Sequence, residues 1–366
     1  MKKLTILHTE ASDGWGGQEI RIIAEMLGMR GRGHRVLLAC PAHATICRRA
    51  KEAGIEVFEV GMGKAGMFVG TLKLARIIKD AGVDIVNTHS SRDSWMGSAA
   101  GRLTGRKVIR SRHISSEIKT DPGTRLVYGP LCDAIITTGE SIKAMLIDGL
   151  GLPAEKIVSI PTGIKLDSFD GSGREKVRRE FGIPDSSPVI GIAATLRSWK
   201  GHIYILNAMA GILKAYPDAR LMIVGEGPFR DRNIEPELRR LSLGDAVIMA
   251  GHRDDIPEVI AAFDIAVMAS YASEGIPQFA LQAMATGLPL IGTTVGGIPE
   301  VLQDGVTGLL IPPKDSMAIS GAVLKMLSDP AMMRAMGEAA RAAAARKHSY
   351  EKMLDDVEAL YGRLAG

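Results

Sequence analysis

The stretch SEGIPQFALQAM combines groups that could bind a ligand rich in hydroxyl groups. Its carboxylate, Glu274, is followed by three residues that lead into a predicted helix: Gly275, Ile276 and Pro277. Proline suits a first helical turn, so the carboxylate and the neighbouring amides should cluster at the helix N-terminus. Carboxylates accept hydrogen bonds from adjacent hydroxyl groups, and amides bind phosphate oxygens. Gln282 lies about two helical turns further on and points along the same side. For Glu274 alone, a helix cap or a solvated charge is the alternative.

Two basic residues, Arg197 and Lys200, stand three positions apart in ATLRSWKGH, between a predicted strand and a predicted helix. Arginine offers a planar fork and lysine a point charge, so together they could bind a diphosphate. Any basic pair can simply be solvated, but the position at the carboxyl end of a strand favours anion binding. The turns IVGEGP and MAGHRDDIP, which contain Glu226 and Arg253, could support a nucleoside or could be turns without a further role.

The first half of the chain offers two further candidates after strands. Gly16 and Gly17 precede a predicted helix, and paired glycines let amides approach an anion. A tight turn without a ligand is favoured for these glycines alone, since no G-x-G-x-x-G is present. His89 and His113 each follow a strand. A lone histidine there is more often structural, but two of them make a role in binding or catalysis more plausible.

A regular alternation of predicted strands and helices positions these candidate residues. Six aliphatic runs (LTILHT, HRVLLAC, IEVFEV, DIVNTH, KVIRSR, DAIITT) and six later ones (VIGIAATL, ARLMIVGEG, DAVIMAG, DIAVMAS, LPLIGT, GLLIPP) each precede a helical pattern or a turn. The alternation predicts βα units and parallel sheets. Between the two series, KIVSIPTGIKLDSFDGSGREKVRREFGIPDSSP reads as an interdomain linker. We therefore expect an α/β protein with two doubly wound domains, whose sheets would enclose a cleft.

Composition narrows the class of protein. The 366 residues are 46% hydrophobic with 42 glycines, which fits two compact α/β domains rather than a disordered chain. Three scattered cysteines and the absence of a signal peptide or an apolar span predict a soluble, cytoplasmic protein. The first 170 residues carry 24 Lys and Arg against 18 Asp and Glu, a net charge of +6, and the remainder carries −2. An anionic partner of the first half, or ordinary solubilising charge, explains this asymmetry.

The block EGIPQFALQAMATGLPLIGTTVGGIPEVLQDGVTGLLIPPKD resembles the donor-binding module of retaining GT-B glycosyltransferases of family 4. These read E-x7-E, then A-x-G-x-P, then G-G-x-x-E. The segments GGQEIRIIAEMLGMRGRGHRV, LRSWKG, VGEGP and HSYEKM…LYGRL are similar to the same family in the same order, so the resemblance covers essentially the whole chain. It implies two Rossmann-like domains facing across a cleft. The implied boundaries are an acceptor-binding domain at 1–168, a linker at 169–186, a nucleotide-sugar-binding domain at 187–345, and a helix at 346–366 that crosses back to the N-terminal domain.

The resemblance also implies site residues. Four are implied to be catalytic: His113 beside the reacting sugar, Arg197 and Lys200 at the diphosphate, and Glu274 at the sugar hydroxyls. The implied donor-binding positions are Gly16, Gly17, His89, Glu226, Arg253, Gly275, Ile276, Pro277 and Gln282. Gln282 stands where the family has its second glutamate, which grips the ribose. An amide still accepts one hydrogen bond and donates another, so ribose binding, a changed nucleotide preference and reduced activity all stay open.

The reaction that the resemblance implies is transfer of a glycosyl unit from a nucleoside-diphosphate sugar with retention of configuration. The leaving phosphate takes the acceptor proton on the same face. This role of the phosphate suits a chain that shows no convincing carboxylate pair of the hydrolase kind. No catalytic metal is expected, because the chain contains no D-x-D sequence, and no cofactor is expected besides the donor substrate. A nucleotide-sugar epimerase and a non-catalytic nucleotide-sugar-binding protein remain alternatives, and a dinucleotide oxidoreductase is the weakest.

The acceptor is expected to bind the basic first domain. Its charge suits a glycolipid, a lipopolysaccharide-type molecule or a polysaccharide at the inner face of the cell membrane, with peripheral contact to anionic lipid and no nucleic-acid partner. In MGKAGMFVGTLKLARIIKD, four apolar residues are expected to be core contacts rather than a membrane anchor: Met67, Phe68, Leu72 and Leu74.

Overall fold

A computed structural model describes residues 2–63, 66–272 and 274–366. The chain forms two compact units. The first comprises Met1–Gly163 with Glu351–Gly366, and the second comprises Ile164–Tyr350.

Seven parallel strands form the sheet of the first unit: β1 (Thr5–Thr9), β2 (Arg35–Cys40), β3 (Glu56–Glu59), β4 (Ile85–Thr88), β5 (Lys107–Arg112), β6 (Ala134–Thr137) and β7 (Ile157–Ser159). Their order is β3-β2-β1-β4-β5-β6-β7. The first six strands follow the predicted aliphatic runs, which are buried on both faces because helices cover the sheet. The short edge strand β7 was not predicted, since it lies at the start of the turn-rich stretch read as a linker.

The helices that connect these strands are α1 (Gly17–Gly31), α2 (Thr45–Glu52), α3 (Met67–Asp80), α4 (Ser91–Leu103), α5 (Pro122–Tyr128) and α6 (Glu140–Leu150). Side-chain carboxylates cap the starts of α4 and α5. Asp93 accepts a hydrogen bond from the backbone of Ser90 at the start of α4, and Asp121 accepts one from Thr124 N at the start of α5. These caps help to fix where each helix leaves the carboxyl end of the sheet.

Helix α3 exposes an apolar face at its start. Met67, Phe68 and Leu72 are 41%, 76% and 50% exposed, whereas Leu74 is fully buried. The expectation that all four are core contacts is therefore correct for Leu74 and wrong for the other three. The reason is helical geometry, because the face that packs onto the unit is formed by other positions: Gly70, Leu74, Ile77 and Ile78.

Six parallel strands form the sheet of the second unit: β8 (Val189–Ala193), β9 (Arg220–Val224), β10 (Val247–Gly251), β11 (Ile265–Met268), β12 (Leu290–Thr293) and β13 (Gly308–Ile311). Their order is β10-β9-β8-β11-β12-β13, and all follow the predicted runs. The helices are α7 (Arg174–Glu180), α8 (His202–Ala215), α9 (Glu235–Leu241), α10 (Ile256–Ala261), α11 (Gln278–Thr286), α12 (Ile298–Val301), α13 (Ser316–Ser328) and α14 (Pro330–Lys347).

The segment 169–186, expected to connect the domains, lies in the second unit and contains α7. Phe169 and Val177 belong to the hydrophobic core of that unit. Arg178 is buried, and its guanidinium forms an ion pair with Asp264 at 2.7 Å. The segment is polar in composition, but these few side chains attach it to the sheet.

Helix α15 (Tyr350–Ala365) places most of its residues in the first unit. Tyr361 is fully buried, and its hydroxyl donates to Glu25 Oε1 of α1 at 2.7 Å. Arg32 forms ion pairs with Glu358 at 2.8 Å and with Asp355 at 2.7 Å. A polar contact inside the unit and ion pairs at its edge thus attach α15 to the first unit.

Both sheets reverse their strand order beside the strand that begins each series. In the first sheet β1 lies between β2 and β4, and in the second β8 lies between β9 and β11. Doubly wound sheets bind ligands outside the carboxyl ends of the strands at such a switch point. The loops after β1 and β4 in the first unit, and after β8 and β11 in the second, are therefore where a site is expected.

Candidate functional site

The loops after β8 and β11 bring Lys200 and Glu274 into contact. Lys200 Nζ donates to Glu274 Oε1 at 2.6 Å and to Oε2 at 2.9 Å. The glutamate side chain is 7% exposed and the lysine side chain 23%. The switch point of the second sheet therefore holds a nearly buried carboxylate that is neutralised by an ammonium group within reach of solvent.

Close backbone packing positions this ion pair. Gly201, at the start of α8, has a φ of +76°, and a Cβ there would lie 1.9 Å from Ala269 O. Gly296 has a φ of +55°, and a Cβ there would lie 1.9 Å from Glu274 O. Gly297 N donates to the same carbonyl at 3.0 Å. Only glycine permits these approaches, so the GG of GGIPE directly supports the backbone of Glu274.

The backbone that follows Glu274 is half-buried at three residues: Gly275, Ile276 and Pro277. Helix α11 begins at Gln278, and Pro277 is the residue before it, with φ −68° and ψ 128°. The predicted position of Pro277 in the first helical turn is thus wrong by one residue, because its ψ is extended. Gln282 is half-buried in α11.

Arg197 and Lys200 have different partners. Arg197 is exposed, and its guanidinium carbon lies 5.0 Å from the ring centroid of Trp199. Arg197 and Trp199 line a cavity of about 420 Å³, together with Phe229 and Arg232. Sequence reasoning did not single out Trp199, although it stands between the two basic residues of LRSWKG.

The VGEGP turn lies against the loop after β8. Leu196 N donates to Glu226 O at 2.9 Å. A Cβ at Gly225 would lie 2.2 Å from Ala194 O, and one at Gly227 would lie 2.5 Å from Leu196 O. The glycines on either side of Glu226 therefore allow the ends of β8 and β9 to approach each other.

Arg253 is held by two carboxylates. Its guanidinium forms ion pairs with Glu180 at 2.5 Å and with Asp255 at 2.7 Å. These two side-chain hydrogen bonds raise the pKa of Arg253 further above its ordinary value. The structure thus gives the guanidinium a role in joining α7 to the loop after β10.

In the first unit, three histidines form a hydrogen-bonded chain. His8 Nδ1 lies 2.9 Å from His89 Nε2, and His89 Nδ1 lies 2.9 Å from His113 Nε2. Neighbouring rings are stacked with centroids 5.2 Å apart. Burial lowers the pKa of all three, and the His113 and Arg110 charges lower that of His89 further. Three neutral rings linked in this way must share one direction of proton donation, so their tautomers are set together.

Two buried carboxylates, Glu10 and Asp93, lie at the same switch point. Burial and the nearby Asp93 raise the pKa of Glu10 to about 7. Burial also raises the pKa of Asp93, which accepts hydrogen bonds from Thr9 Oγ1 at 2.9 Å and from His89 N at 2.8 Å. Sequence reasoning missed this pair, because each acid alone resembles an ordinary cap or turn residue.

Gly16 and Gly17 stand at the beginning of α1. Gly16 is the N-cap residue, and its amide donates to Glu19 Oε2 at 2.8 Å. The protein's own carboxylate therefore satisfies one amide at this helix N-terminus. Gly17 is exposed.

Two family models match this chain in succession. The model described as Glycosyltransferase Family 4 matches residues 15–168, and the model described as Glycosyl transferases group 1 matches residues 173–343. Together they take in most of the chain. The chain belongs to the group 1, family 4 glycosyltransferases.

Curated relatives of this glycosyltransferase are enzymes of the same kind. N-acetyl-alpha-D-glucosaminyl L-malate synthase of Bacillus anthracis is 33% identical over 186 residues, which cover 51% of this chain and 48% of that enzyme. D-inositol 3-phosphate glycosyltransferase of Acidothermus cellulolyticus is 26% identical over 319 residues, which cover 80% of this chain and 70% of that enzyme. The chain thus spans about half the length of the first of these relatives.

Solved structures show the same fold. A glycosyltransferase from Rickettsia africae has a TM-score of 0.90 at 22% identity, covering 100% of this chain and 99% of that one. Anabaena Alr3699/HepE in complex with UDP has a TM-score of 0.87 at 20% identity, covering 99% of this chain and 100% of that one. The predicted fold class, α/β with the GT-B fold, is confirmed.

The described residues contain neither a membrane-spanning helix nor a metal-binding cluster. No described helix is both long and apolar enough to cross a membrane. Within residues 2–63, 66–272 and 274–366, no three His, Cys, Asp or Glu side chains group in a way that could hold a metal ion.

Proposed function

We propose that this glycosyltransferase moves a sugar from a nucleoside-diphosphate sugar to an acceptor hydroxyl with retention of anomeric configuration and without a metal ion. The observation that carries this proposal is the Lys200–Glu274 ion pair at the switch point of the second sheet. The ion pair places a cation that can face a diphosphate next to a carboxylate that can accept hydrogen bonds from sugar hydroxyls.

The pair suggests how the second unit acts on the donor. The ammonium group of Lys200 stabilises the charge that develops on the diphosphate as the glycosidic bond breaks. Glu274 accepts hydrogen bonds from the sugar hydroxyls, beside the amides of Gly275 and Ile276. Arg197, exposed near the same loop, adds a second cation at the diphosphate. The leaving phosphate oxygen takes the proton of the acceptor hydroxyl, so no protein carboxylate is needed as a base.

The remaining donor contacts are proposed at the donor-binding residues that the family resemblance implies. Gln282 bonds the ribose through its amide, and Glu226 and Arg253 border the base. In the first unit, His113 acts at the transferred sugar, His89 orients it through their hydrogen bond, and Gly16 and Gly17 let the backbone at the start of α1 approach the donor.

For the acceptor we propose a glycolipid, a lipopolysaccharide-type molecule or a polysaccharide, bound by the first unit. The first 170 residues of the chain, which include most of this unit, carry a net charge of +6, which favours acceptors with acidic groups. The names of the two curated relatives include L-malate and D-inositol 3-phosphate, which are both anionic. We place the reaction in the cytoplasm, at the inner face of the cell membrane.

Membrane contact is proposed through α3, where Phe68 and Leu72 are exposed near its start and Lys73, Arg76 and Lys79 are exposed further along the helix. Apolar side chains next to lysines and arginines bind anionic bilayer surfaces. We expect the full-length protein to sediment with vesicles that contain phosphatidylserine at low salt. Phe68→Ser should reduce the bound fraction several-fold, whereas Val306→Ser, at an exposed position of the second unit, should not. Equal sedimentation of Phe68→Ser and the wild type would contradict this contact.

The transfer proposal is tested by screening UDP-, GDP- and ADP-sugars by thermal shift, with UDP-sugars first because UDP is bound in the Anabaena structure. The donor that stabilises the protein is then incubated with acceptors in the presence of a chelator. We expect a product that keeps the donor's anomeric configuration by NMR. Inversion, or dependence on added metal, would contradict the proposed mechanism.

The same assay separates the alternatives. A new sugar isomer formed from donor alone would identify a nucleotide-sugar epimerase. Donor binding by calorimetry with no hydrolysis and no transfer to any acceptor would identify a non-catalytic binding protein, the outcome that Gln282 keeps open.

A further inference from the structure

A cavity of about 370 Å³ lies within the first unit, next to the carboxyl ends of β4 and β5. We name it the arginine cavity, and the lining residues that matter here are Arg110, Arg112, His113, Lys119 and Tyr128. Its volume suits a small polar ligand or the head of a larger one.

Two arginines of β5 give this cavity its charge. Arg110 and Arg112 stand two positions apart on one strand, so their side chains lie on the same face of the sheet. They are only 6% and 7% exposed. Arginine is rarely so buried without a carboxylate partner.

The partners of both guanidinium groups are neutral. Arg110 donates to Ser90 O at 2.8 Å, to Ser94 Oγ, and to Tyr128 OH at 3.4 Å. Arg112 donates to Tyr128 OH at 3.1 Å and to the carbonyl of Ser116. In the described part of the chain, neither group forms an ion pair and neither Nε has a hydrogen-bond partner.

The nearby acids make no ion-pair contact with either guanidinium group in the described part of the chain. Asp93 feels the charge of Arg110, but its oxygens accept hydrogen bonds from Thr9, His89 and Ser90. Glu117 lines the same cavity but is exposed.

The two charges act on their surroundings. Burial would raise the pKa of Tyr128, but Arg110 and Arg112 outweigh it, so the pKa lies below its ordinary value. Two like charges held in a poorly solvated place cost free energy, and an anion bound between them removes that cost. Paired guanidinium groups match the oxygens of a phosphate or a carboxylate.

We propose that the arginine cavity binds a phosphate or carboxylate group of the acceptor, held by Arg110 and Arg112. This inference rests on the proposed function, because His113, which acts at the transferred sugar in that proposal, lines the same cavity. The anionic group therefore belongs to the acceptor and orients its hydroxyl. Lys119, exposed in the lining, adds a third positive charge.

The test is calorimetric binding to the full-length protein. The soluble probes are L-malate, D-inositol 3-phosphate and inorganic phosphate, and dihexanoyl-phosphatidic acid represents a lipid headgroup. Uncharged myo-inositol is the neutral comparison. We expect at least one anionic probe to bind, and Arg110→Gln and Arg112→Gln each to weaken it about 10-fold or more. The probe that binds the wild type and loses affinity in these two variants shows whether the anion comes from a soluble acceptor or from a lipid headgroup.

Controls separate charge from folding. Arg35→Gln removes an exposed arginine of β2 that pairs with Glu56, and it should leave anion binding unchanged. If a glutamine variant does not fold, Arg112→Lys carries the test, since it keeps the charge, loses the planar fork and should weaken binding several-fold.

Binding of UDP, GDP or ADP is measured in parallel. Unchanged anion affinity in the folded arginine variants would overturn the inference. So would the absence of binding by every anionic probe to protein that binds a nucleoside diphosphate. Failure of the wild type to bind any nucleoside diphosphate would instead contradict the proposed function.

Discussion

Lys200→Ala is expected to lower the rate of transfer by about 100- to 1,000-fold, because it removes the cation that faces the departing diphosphate. The loss should appear mainly in kcat, since the charge on the leaving group is greatest in the transition state. Steady-state kinetics with the donor found by screening measure this directly.

The variant also leaves Glu274 without its partner, with a side chain only 7% exposed. Some loss of stability is therefore expected, and thermal unfolding must show that the variant is folded at the assay temperature. The matched control is Lys214→Ala, which removes an exposed lysine of α8, the helix that follows the Lys200 loop. This variant should keep full activity. Lys200→Arg retains the charge with a different geometry, so its transfer rate should lie between those of Lys200→Ala and Lys214→Ala. Turnover close to wild type in Lys200→Ala would overturn the assignment of this pair as the donor site.

His113→Ala is expected to lose most of the transfer activity while nucleoside-diphosphate binding changes little. The imidazole ends a chain in which His89 fixes its orientation and tautomer through a hydrogen bond of 2.9 Å. His8→Ala, one ring further along, should cause a smaller loss, since it removes only the partner of His89. His43→Ala is the control, because it changes an exposed histidine that is not one of these three hydrogen-bonded histidines. Unchanged turnover in His113→Ala would make the histidine structural.

The three hydrogen-bonded histidines also predict how the stability of the protein depends on pH. Burial lowers the pKa values of His8, His89 and His113 in the folded protein, whereas histidines in the unfolded chain have a pKa of about 6.5. Below that pH the unfolded state binds more protons, so the free energy of unfolding falls as the pH decreases. Thermal unfolding of His8→Ala and the wild type between pH 7.5 and pH 5 should show a smaller pH dependence in the variant.

The strands were readable from the sequence because each parallel strand is a short aliphatic run bounded by turn residues. Twelve such runs correspond to β1–β6 and β8–β13. The exception, β7, has only three residues before Ile160 and Pro161, so it gives no periodicity to detect. The polar composition of the α7 segment indicates a linker, but composition does not show that the buried Arg178 has a carboxylate partner.

The site residues were found singly, but their contacts were not. Lys200 and Glu274 are 74 positions apart and meet only because β8 and β11 are neighbours. His8 was overlooked inside a strand, yet it joins His89 and His113 because β1, β4 and β5 are consecutive in the sheet. Strand order is a property of the whole domain, so the sequence identified the groups without showing which of them touch.

The division of the chain also has a consequence for synthesis on the ribosome. The first unit includes Glu351–Gly366, which are translated after the whole of the second unit. Until then Glu25 lacks the hydroxyl of Tyr361, and the surface that α15 covers stays open. The second unit can therefore complete its core first, although the first unit begins the chain. The nascent first sheet must stay soluble without its last helix for the time that the ribosome needs to add nearly two hundred residues.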